Sequence, residues 1–342
     1  MAKTHKYLMK KIIYIILFSI VVLFAIAVNY YQQYQQFLNV SVFQENTILT
    51  IKKGQNFKGF IFDIKQHQAN GENWQWRLFA RLAAVGTWLK VGEFEIDTEL
   101  TPMQMMEKIK SNQVVSYQFT IIEGVNWREL KKKILQDPVL LHSLNDINDQ
   151  QLLLALDSNK SSPEGLFLPE TYQFVRGDTD IDVLKRAHSA LKLNVQKYWQ
   201  EKDDNLPFND SYHLLILASI VEKETAQLHE RNKVAGVFVR RLQLNMRLQT
   251  DPTVIYGLGL NYDGDIKRKD LTTDTPYNTY TRKGLPPTPI AMASIGAIAA
   301  SAHPEDGKSL YFVANNRGGH YFSDTYEQHQ KAVKNYLKGN KL

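Results

Sequence analysis

The stretch HLLILASIVEKET, residues 213–225, decides the fold class of the longer part of the chain. Its first nine residues are almost entirely apolar on every side of a helix, and a helix of that kind is buried on most sides. Asp210 precedes the stretch and is its predicted N-cap. The stretch therefore predicts a core helix over 212–225 that ends on the charged residues 222–224.

The segments on either side of this helix predict a mostly helical domain. Apolar residues recur at helical spacing from Asp182 to Trp199, and a third helix is expected from Glu230 to Leu244. Residues 250–289 are rich in Asp, Pro, Gly, Tyr and Thr, which predicts long ordered loops. Functional sites commonly lie on such loops, because a rigid scaffold positions them.

Towards the N-terminus, short strands accompany the predicted helices. Ile51–Phe57 and Ile121–Trp127 each read as a strand, a glycine turn and the start of a helix. Val91–Ile96 reads as another strand, and Thr101–Gln104 has the form of a capping box with proline at the first helical position. We therefore expect an α+β protein.

The N-terminal segment predicts a membrane anchor. Residues 12–28 read IIYIILFSIVVLFAIAV, and a helix extended to Tyr31 reaches the roughly 20 residues needed to cross a bilayer. A cleaved signal peptide is the alternative, but bulky Asn-Tyr-Tyr follows the apolar run in place of a small-residue cleavage site. We expect a cytoplasmic tail over 1–11, a transmembrane helix over 12–31 and a polar, uncharged linker over 32–44.

Charge and composition set the orientation and exclude several classes of function. Lysines flank the apolar run only on its N-terminal side, which by the positive-inside rule places residues 45–342 outside the cytoplasm. Four of the 41 basic residues are these lysines at positions 3, 6, 10 and 11, so the rest of the chain has 37 basic residues against 35 acidic ones. That part of the chain contains no basic stripe of the kind that nucleic-acid binding needs. The absence of cysteine excludes disulfides, a thiol nucleophile and cysteine-ligated metals.

Glu222 and Glu224 are the first candidates for chemistry. A carboxyl group at the end of a buried helix loses hydration, which raises its pKa, and the negative end of the helix dipole acts in the same direction. A raised carboxyl pKa suits a general acid that protonates a glycosidic oxygen near neutral pH. Taken alone, the pattern also fits ordinary polar residues where a core helix reaches solvent.

Six segments decide between these interpretations. Together, and in the order in which they occur along the chain, they resemble the YceG-like, MltG-type family of endolytic murein transglycosylases. The resemblance extends from the anchor to the C-terminus. The segments are Glu164–Tyr172, Ala218–Thr225, Met246–Gly257, Tyr277–Tyr280, Gly284–Pro287 and Gly318–Phe322.

The resemblance implies a membrane-anchored lyase. It implies a LysM-like subdomain over 45–117, which the residues alone describe equally well as a packing domain without a ligand, and a lytic-transglycosylase-like catalytic domain over 118–342. Glu222 would be the catalytic acid at the β-1,4 bond between N-acetylmuramic acid and N-acetylglucosamine within nascent strands. The muramoyl C6 hydroxyl would then close a 1,6-anhydro ring, so no second carboxylate is required, unlike in most glycosidases. Cutting there would end glycan elongation.

The loops supply candidate substrate-binding residues with amide, hydroxyl, carboxyl and aromatic groups. Buried structural hydrogen bonding would select the same residue types, so both interpretations stay open. Asp251 is the candidate second carboxylate: it either caps the turn before Pro252 or activates water, as in a lysozyme-like hydrolase. The candidates are Glu224, Gln249, Thr250, Asp251, Tyr256, Tyr277, Asn278, Thr279 and Tyr280.

Partners and location follow from this setting. Peptidoglycan glycan strands are the expected substrate, and peptidoglycan synthases are expected neighbours at the inner membrane, with the catalytic domain in the periplasm. We expect no cofactor, no nucleic acid and no metal, since no His, Asp and Glu spacing around His303 or His320 supports a metal site. A non-catalytic peptidoglycan-binding scaffold is the alternative from another class.

Overall fold

The computed structural model describes residues 2–52, 54–83 and 89–339. Met1 of the predicted tail, Lys53 of the first strand–glycine–helix segment, 84–88 of the predicted subdomain and 340–342 therefore lie outside the described residues. The chain divides into two compact units. One comprises 1–117 with 175–177, and the other comprises 118–174 with 178–342.

The first unit begins with one long helix, α1 (Ala2–Asn39). Within it, Tyr7–Asn39 contains an 18-residue stretch with a mean hydropathy of 2.8, which is apolar and long enough to cross a membrane. Its large apolar side chains from Tyr7 to Tyr31 are exposed, as expected of a helix that protein does not cover.

The predicted polar linker over 32–44 is instead part of the folded first unit. Helix α1 continues to Asn39 without a break. Tyr34, Phe37, Val42 and Phe43 are buried in the core of this unit. The sequence pattern of this segment is dominated by polar residues, and it gives no sign that these four apolar side chains are buried.

The remainder of the first unit surrounds a small sheet. The elements are β1 (Thr47–Ile51), α2 (Phe57–Gln66), α3 (Asn73–Leu82), β2 (Gly92–Ile96) and α4 (Pro102–Lys110). Strands β1 and β2 pair antiparallel, with Thr47 opposite Ile96. Gly54 has a φ of +77°, which confirms the predicted glycine turn, and the predicted capping box at Thr101 is present.

The second unit is mainly helical. Its small sheets are formed by β3 with β4 and by β5 with β6, the latter pair antiparallel. The mixed helix-and-sheet class is thus confirmed. The elements are β3 (Ser116–Thr120), α5 (Trp127–Ile134), α6 (Asp149–Ala155), β4 (Thr171–Val175), α7 (Asp180–Glu201), α8 (Ser211–Glu224), α9 (Arg231–Gln243), α10 (Asp251–Leu258), α11 (Arg268–Thr272), α12 (Ile295–Ala302), β5 (Tyr311–Ala314), β6 (His320–Ser323) and α13 (Tyr326–Leu337).

Helix α8 is the centre of the second unit. Every residue from Leu214 to Val221 is buried, and α7, α9 and α12 pack against it, so the predicted core helix is confirmed. Residues 250–289, predicted as loops, contain the short helices α10 and α11. Pro252 lies in the first turn of α10, where a missing N–H costs no hydrogen bond, and so it does not prevent a helix there.

Candidate active site

Helix α8 begins at a capped N-terminus and ends on three charged residues, Glu222, Lys223 and Glu224. The Asp210 side chain accepts hydrogen bonds from the backbone N–H groups of Tyr212 and His213, which confirms the predicted N-cap and sets where the helix begins. At the other end, Lys223 is exposed and its Nζ donates to the carbonyl of Gly124 at 3.1 Å. Glu222 and Glu224 point elsewhere, and each meets a different environment.

Glu222 lies in a buried ion pair with Arg231. The Arg231 Nη2 donates to Glu222 Oε1 at 2.8 Å, and both side chains are only 5% exposed. The backbone N–H of Ser294 donates to Oε2 at 2.9 Å, and the Ser294 hydroxyl donates to the same oxygen. The predicted acid therefore has a charged partner, whereas the sequence interpretation considered only burial and the dipole of its own helix.

Arg231 and Ser294 form the rest of this cluster. Arg231 Nη1 donates to Ser294 Oγ at 2.6 Å, and Nη2 lies 3.6 Å from the more exposed carboxylate of Glu123. Ser294 is the N-cap of α12, so Glu222 also faces the positive end of that helix. Both carboxylate oxygens of Glu222 therefore accept hydrogen bonds from this cluster.

A cleft of about 760 Å³ lies beside this cluster. Its wall includes Gly124, Trp127, Glu164, Lys223 and Tyr256. The Glu222 side chain does not line the cleft in this conformation. It packs behind Gly124, since a Cβ built on Gly124 would lie 4.0 Å from Glu222 Cγ and 3.6 Å from Lys223 Cδ.

Glu164 is a carboxyl group of the cleft wall that the sequence interpretation did not single out. The backbone N–H of Trp127 donates to both of its oxygens, at 3.0 and 3.1 Å, and the Tyr256 hydroxyl donates to one of them at 3.0 Å. Burial raises the pKa of Glu164 to about 7, although these hydrogen bonds oppose the rise. Glu164 thus titrates near neutral pH without a cationic partner among the described residues.

Glu224 lines a separate cavity of about 340 Å³ together with Gln249, Asp251 and Tyr280. The Thr250 hydroxyl donates to Glu224. Burial raises the pKa of Glu224 to about 6, the bond from Thr250 lowers it in part, and the charge of Asp251 raises it further. The expectation of a raised carboxyl pKa at the end of α8 is therefore confirmed for Glu224.

Asp251 does not cap α10, because the N-cap of that helix is Thr250. Asp251 is the first residue of α10, it is exposed, and it accepts a hydrogen bond from the Tyr280 hydroxyl at 2.5 Å. Burial, followed by the hydrogen bond to Asp251, raises the pKa of Tyr280. Asp251 lines the cavity of Glu224 and does not line the larger cleft.

Three of the predicted substrate-binding residues are buried and hold the loops together. Asn278 Nδ2 donates to the backbone carbonyls of residues 270, 271 and 273, at 3.0, 3.3 and 2.7 Å. Thr279 Oγ1 accepts from the backbone N–H of Thr250 at 3.1 Å, and a 2.9 Å hydrogen bond joins it to the Thr253 hydroxyl. The polar groups of Asn278 and Thr279 are used internally, as the structural interpretation of these residues required.

Two tyrosines connect the loops to the cleft. The Tyr256 and Tyr277 rings meet edge to face with centroids 4.7 Å apart. Tyr277 also forms a 2.9 Å hydrogen bond with Thr288 Oγ1. Tyr256 lines the cleft and Tyr277 lies behind it, so of the predicted substrate-binding residues only Tyr256 belongs to the larger cleft wall.

A match to one family model covers residues 49–335. The chain belongs to the YceG-like family. A relative in Bacillus subtilis (strain 168), named endolytic murein transglycosylase, is 34% identical over 240 residues, which are 65% of this chain and 66% of that protein. A relative of the same name in Streptococcus pneumoniae (serotype 2, strain D39) is 33% identical over 180 residues, 51% of this chain and 32% of that protein. The chain thus aligns with just under two thirds of the first relative's length and about one third of the second's.

A solved structure supports the family assignment. The crystal structure, at 2.6 Å resolution, of a YceG-like protein from Listeria monocytogenes matches 84% of this chain and 99% of its own, with a TM-score of 0.52 and 27% identity. Within this YceG-like chain, no group of three His, Asp or Glu side chains that could hold a metal ion occurs among the described residues. His320 pairs instead with Glu230, its Nδ1 lying 2.7 Å from Glu230 Oε2.

Sequence reasoning missed Arg231, Ser294 and Glu164 for a common reason. Each of them bonds to a residue that is distant in the chain. Glu222 is 72 residues from Ser294 and 9 residues from Arg231, and Glu164 is 37 residues from Trp127. A single sequence carries no signal for such pairings. For Glu164, the Glu-Gly-Leu-Phe-Leu-Pro-Glu segment of the YceG-like pattern was the available clue.

Proposed function

We propose that this YceG-like protein is an endolytic murein transglycosylase that cuts the bond between N-acetylmuramic acid and N-acetylglucosamine within nascent glycan strands. The proposal is carried by one observation: the relatives of that name align over 65% and 51% of this chain. The structure supports it with a buried carboxylate, Glu222, at the end of the core helix and behind the wall of a cleft. The wall carries the aromatic and polar groups that suit a saccharide.

Glu222 is the proposed catalytic acid and, later, the base. It would protonate the leaving glycosidic oxygen while positive charge develops on the sugar ring, and the C6 hydroxyl of the muramoyl residue would then return a proton to it as the 1,6-anhydro ring closes. The observed contacts of Glu222 with Arg231 and Ser294 suit the second half of this cycle, in which the carboxylate acts as base. The first half requires Glu222 to gain a proton and to turn from Arg231 towards the cleft.

A hydrolase would need a second carboxylate near the reacting bond to activate water. Asp251, the candidate for that role, hydrogen-bonds Tyr280 and lines the cavity of Glu224. This location does not support Asp251 as the residue that activates water, and the carboxyl groups that do line the larger cleft are Glu129, Asp149 and Glu164. Glu224, Gln249 and Tyr280, which share that cavity, are proposed to contact the strand beyond the cut site, whereas Thr250, Asn278 and Thr279 are proposed to support the loops.

The same proposal includes the location of the protein. Helix α1 would be a single-pass anchor in the inner membrane, with the N-terminus in the cytoplasm and the catalytic domain over 118–342 in the periplasm. Peptidoglycan synthases would be its neighbours there. The first unit would contain a LysM-like subdomain over 45–117 that holds glycan strands. Its support is the small β1–α2–α3–β2 arrangement with the glycine turn at Gly54.

Digestion of purified glycan strands tests the chemistry. The full chain is used in detergent, because a fragment without Tyr34 and Phe37 would lose part of the core of the first unit. The wild type should release fragments ending in anhydromuramic acid, one water lighter than reducing ends. Glu222→Gln should abolish the cut, while the matched control Glu123→Gln, an exposed carboxyl beside Arg231, should retain it.

Three outcomes would contradict this assignment. Unchanged cleavage by a folded Glu222→Gln variant would remove Glu222 from the chemistry. Products one water heavier would identify a hydrolase, and intact strands with the wild type would favour a binding scaffold. The masses of the products therefore separate all three interpretations.

A further inference from the structure

Helix α3 of the first unit has the composition of a helix that lies on a membrane surface. Its sequence is NWQWRLFARL, which contains two arginines and no acidic residue. One face, with Trp76 and Phe79, is buried in the core. The side of the helix next to this face exposes 36% of Leu78 and 67% of Leu82. Apolar and aromatic side chains beside arginines on a short amphipathic helix are typical of interfacial helices.

The contacts of α3 with α1 place its first turn at the end of the candidate membrane span. The Trp74 ring meets the Tyr30 ring edge to face at 5.1 Å. Gln75 Nε2 donates to the backbone carbonyl of Gln33 at 3.0 Å. An α-helix rises about 1.5 Å per residue, so a span that begins at Ile12 and crosses about 30 Å of hydrocarbon ends near Tyr30. Trp74 therefore lies at the depth where tryptophan and tyrosine collect in membrane proteins.

From the partly buried Trp74, the exposed Leu78 and Leu82 continue along one side of the helix. Trp74, Leu78 and Leu82 follow each other at intervals of four residues and therefore form one stripe. Arg77 and Arg81 project beside this stripe, and both are exposed. In the part of the chain that the structure describes, neither arginine forms an ion pair with an acidic side chain.

We propose that this face of α3 rests on the outer surface of the phospholipid bilayer. Leu78 and Leu82 enter the boundary between headgroups and acyl chains, and Arg77 and Arg81 bind lipid phosphates. The inference rests on the proposed membrane anchor, because the contact of Trp74 with Tyr30 is what brings α3 to the bilayer. The first unit is then held against the membrane at two points, by α1 and by α3.

The absence of cysteine allows a direct test with one label on each variant. The full chain with Leu78→Cys or Leu82→Cys carries an environment-sensitive fluorophore on the single thiol. It is reconstituted into vesicles of equal parts phosphatidylcholine and phosphatidylglycerol, in which some acyl chains bear a nitroxide quencher. Phe18→Cys, in the middle of the apolar run, reports the anchor, and Phe62→Cys, 63% exposed on α2, is the matched control in the same unit.

We expect the label to be strongly quenched at Leu78 and Leu82, as it is at Phe18, and to be unaffected at Phe62. Arg77→Glu with Arg81→Glu should reduce the quenching at Leu78 several-fold. Quenching at Phe18 with none at either leucine overturns the inference and leaves the anchor standing. No quenching at Phe18 overturns both. Equal quenching at Phe62, or no effect of the two arginine substitutions, contradicts a specific lipid-binding face.

Discussion

The ion pair between Arg231 and Glu222 gives the sharpest prediction for the core of the second unit. Arg231→Gln removes the cation and leaves the Glu222 carboxylate buried without its partner. Both side chains are 5% exposed, so solvent screens the pair little. Breaking a buried pair from one side costs about 3–5 kcal/mol, and we expect that loss in the free energy of unfolding.

A second substitution turns this into a test of sign. Adding Glu222→Gln to Arg231→Gln replaces the unpaired charge by a neutral amide of the same size. The double variant should therefore regain about 2 kcal/mol relative to Arg231→Gln alone, although it contains one more substitution. Lys267→Gln, which breaks an exposed pair with Asp263 in the same unit, is the matched control and should change nothing measurable.

Native-state hydrogen exchange of peptides from α8 is the assay, because it reports this unit separately from the first. At about 1.4 kcal/mol per factor of ten, the loss corresponds to exchange that is faster by about two to four orders of magnitude in Arg231→Gln. A change of less than tenfold would refute the reasoning. A double variant that exchanges faster than Arg231→Gln would also refute it, since it would mean that the Glu222 charge is not the source of the loss.

The remaining predictions concern the cleft wall and the loops behind it. The folded-state pKa of Glu164, about 7, is raised above the ordinary value of 4.5, so its contribution to stability is fully present below pH 4.5 and is lost as the pH rises through 7. Between pH 5 and 8 the free energy of unfolding of the wild type should fall by about 2–3 kcal/mol relative to that of Glu164→Gln, as measured by hydrogen exchange at both pH values. If the free energies of the two proteins change with pH in parallel, the prediction is contradicted. Asn278→Ala removes a buried side chain that donates to three partly buried or exposed backbone carbonyls, and it should lower the free energy of unfolding by about 1–2 kcal/mol with little change in KM once folded protein is counted. A large rise in KM at unchanged stability would instead assign Asn278 to substrate binding. Gly165→Ala should lower the melting temperature of the second unit, since Gly165 has a φ of +71° and an added Cβ would lie 2.4 Å from Pro289; a wild-type melting curve would contradict that.

The fold was predictable where periodicity and local chemistry act together. The apolar pattern of α8, the cap at Asp210 and the glycine turns at Gly54 and Gly124 are all local signals, and the structure contains each of them. The linker prediction was wrong because the six apolar residues of 32–44 are scattered among polar ones, and only the burial of four of them in the core of the first unit reveals their role. Local propensity cannot identify a partner that lies elsewhere in the chain.

The two glutamates of the Val-Glu-Lys-Glu segment show why the site was harder to predict than the fold. They lie two residues apart, so an α-helix turns their side chains by about 200° and directs them to opposite sides. Glu224 meets a hydroxyl and a nearby negative charge, and its pKa is raised to about 6, whereas Glu222 meets Arg231 and the N-terminus of α12. Sequence reasoning gave both the same environment, that of their own helix end. The proposed acid is the one with the cationic partner and it does not line the cleft, so the proposed reaction requires the Glu222 side chain to turn away from Arg231. The ion pair is therefore part of the proposed reaction as well as of the fold.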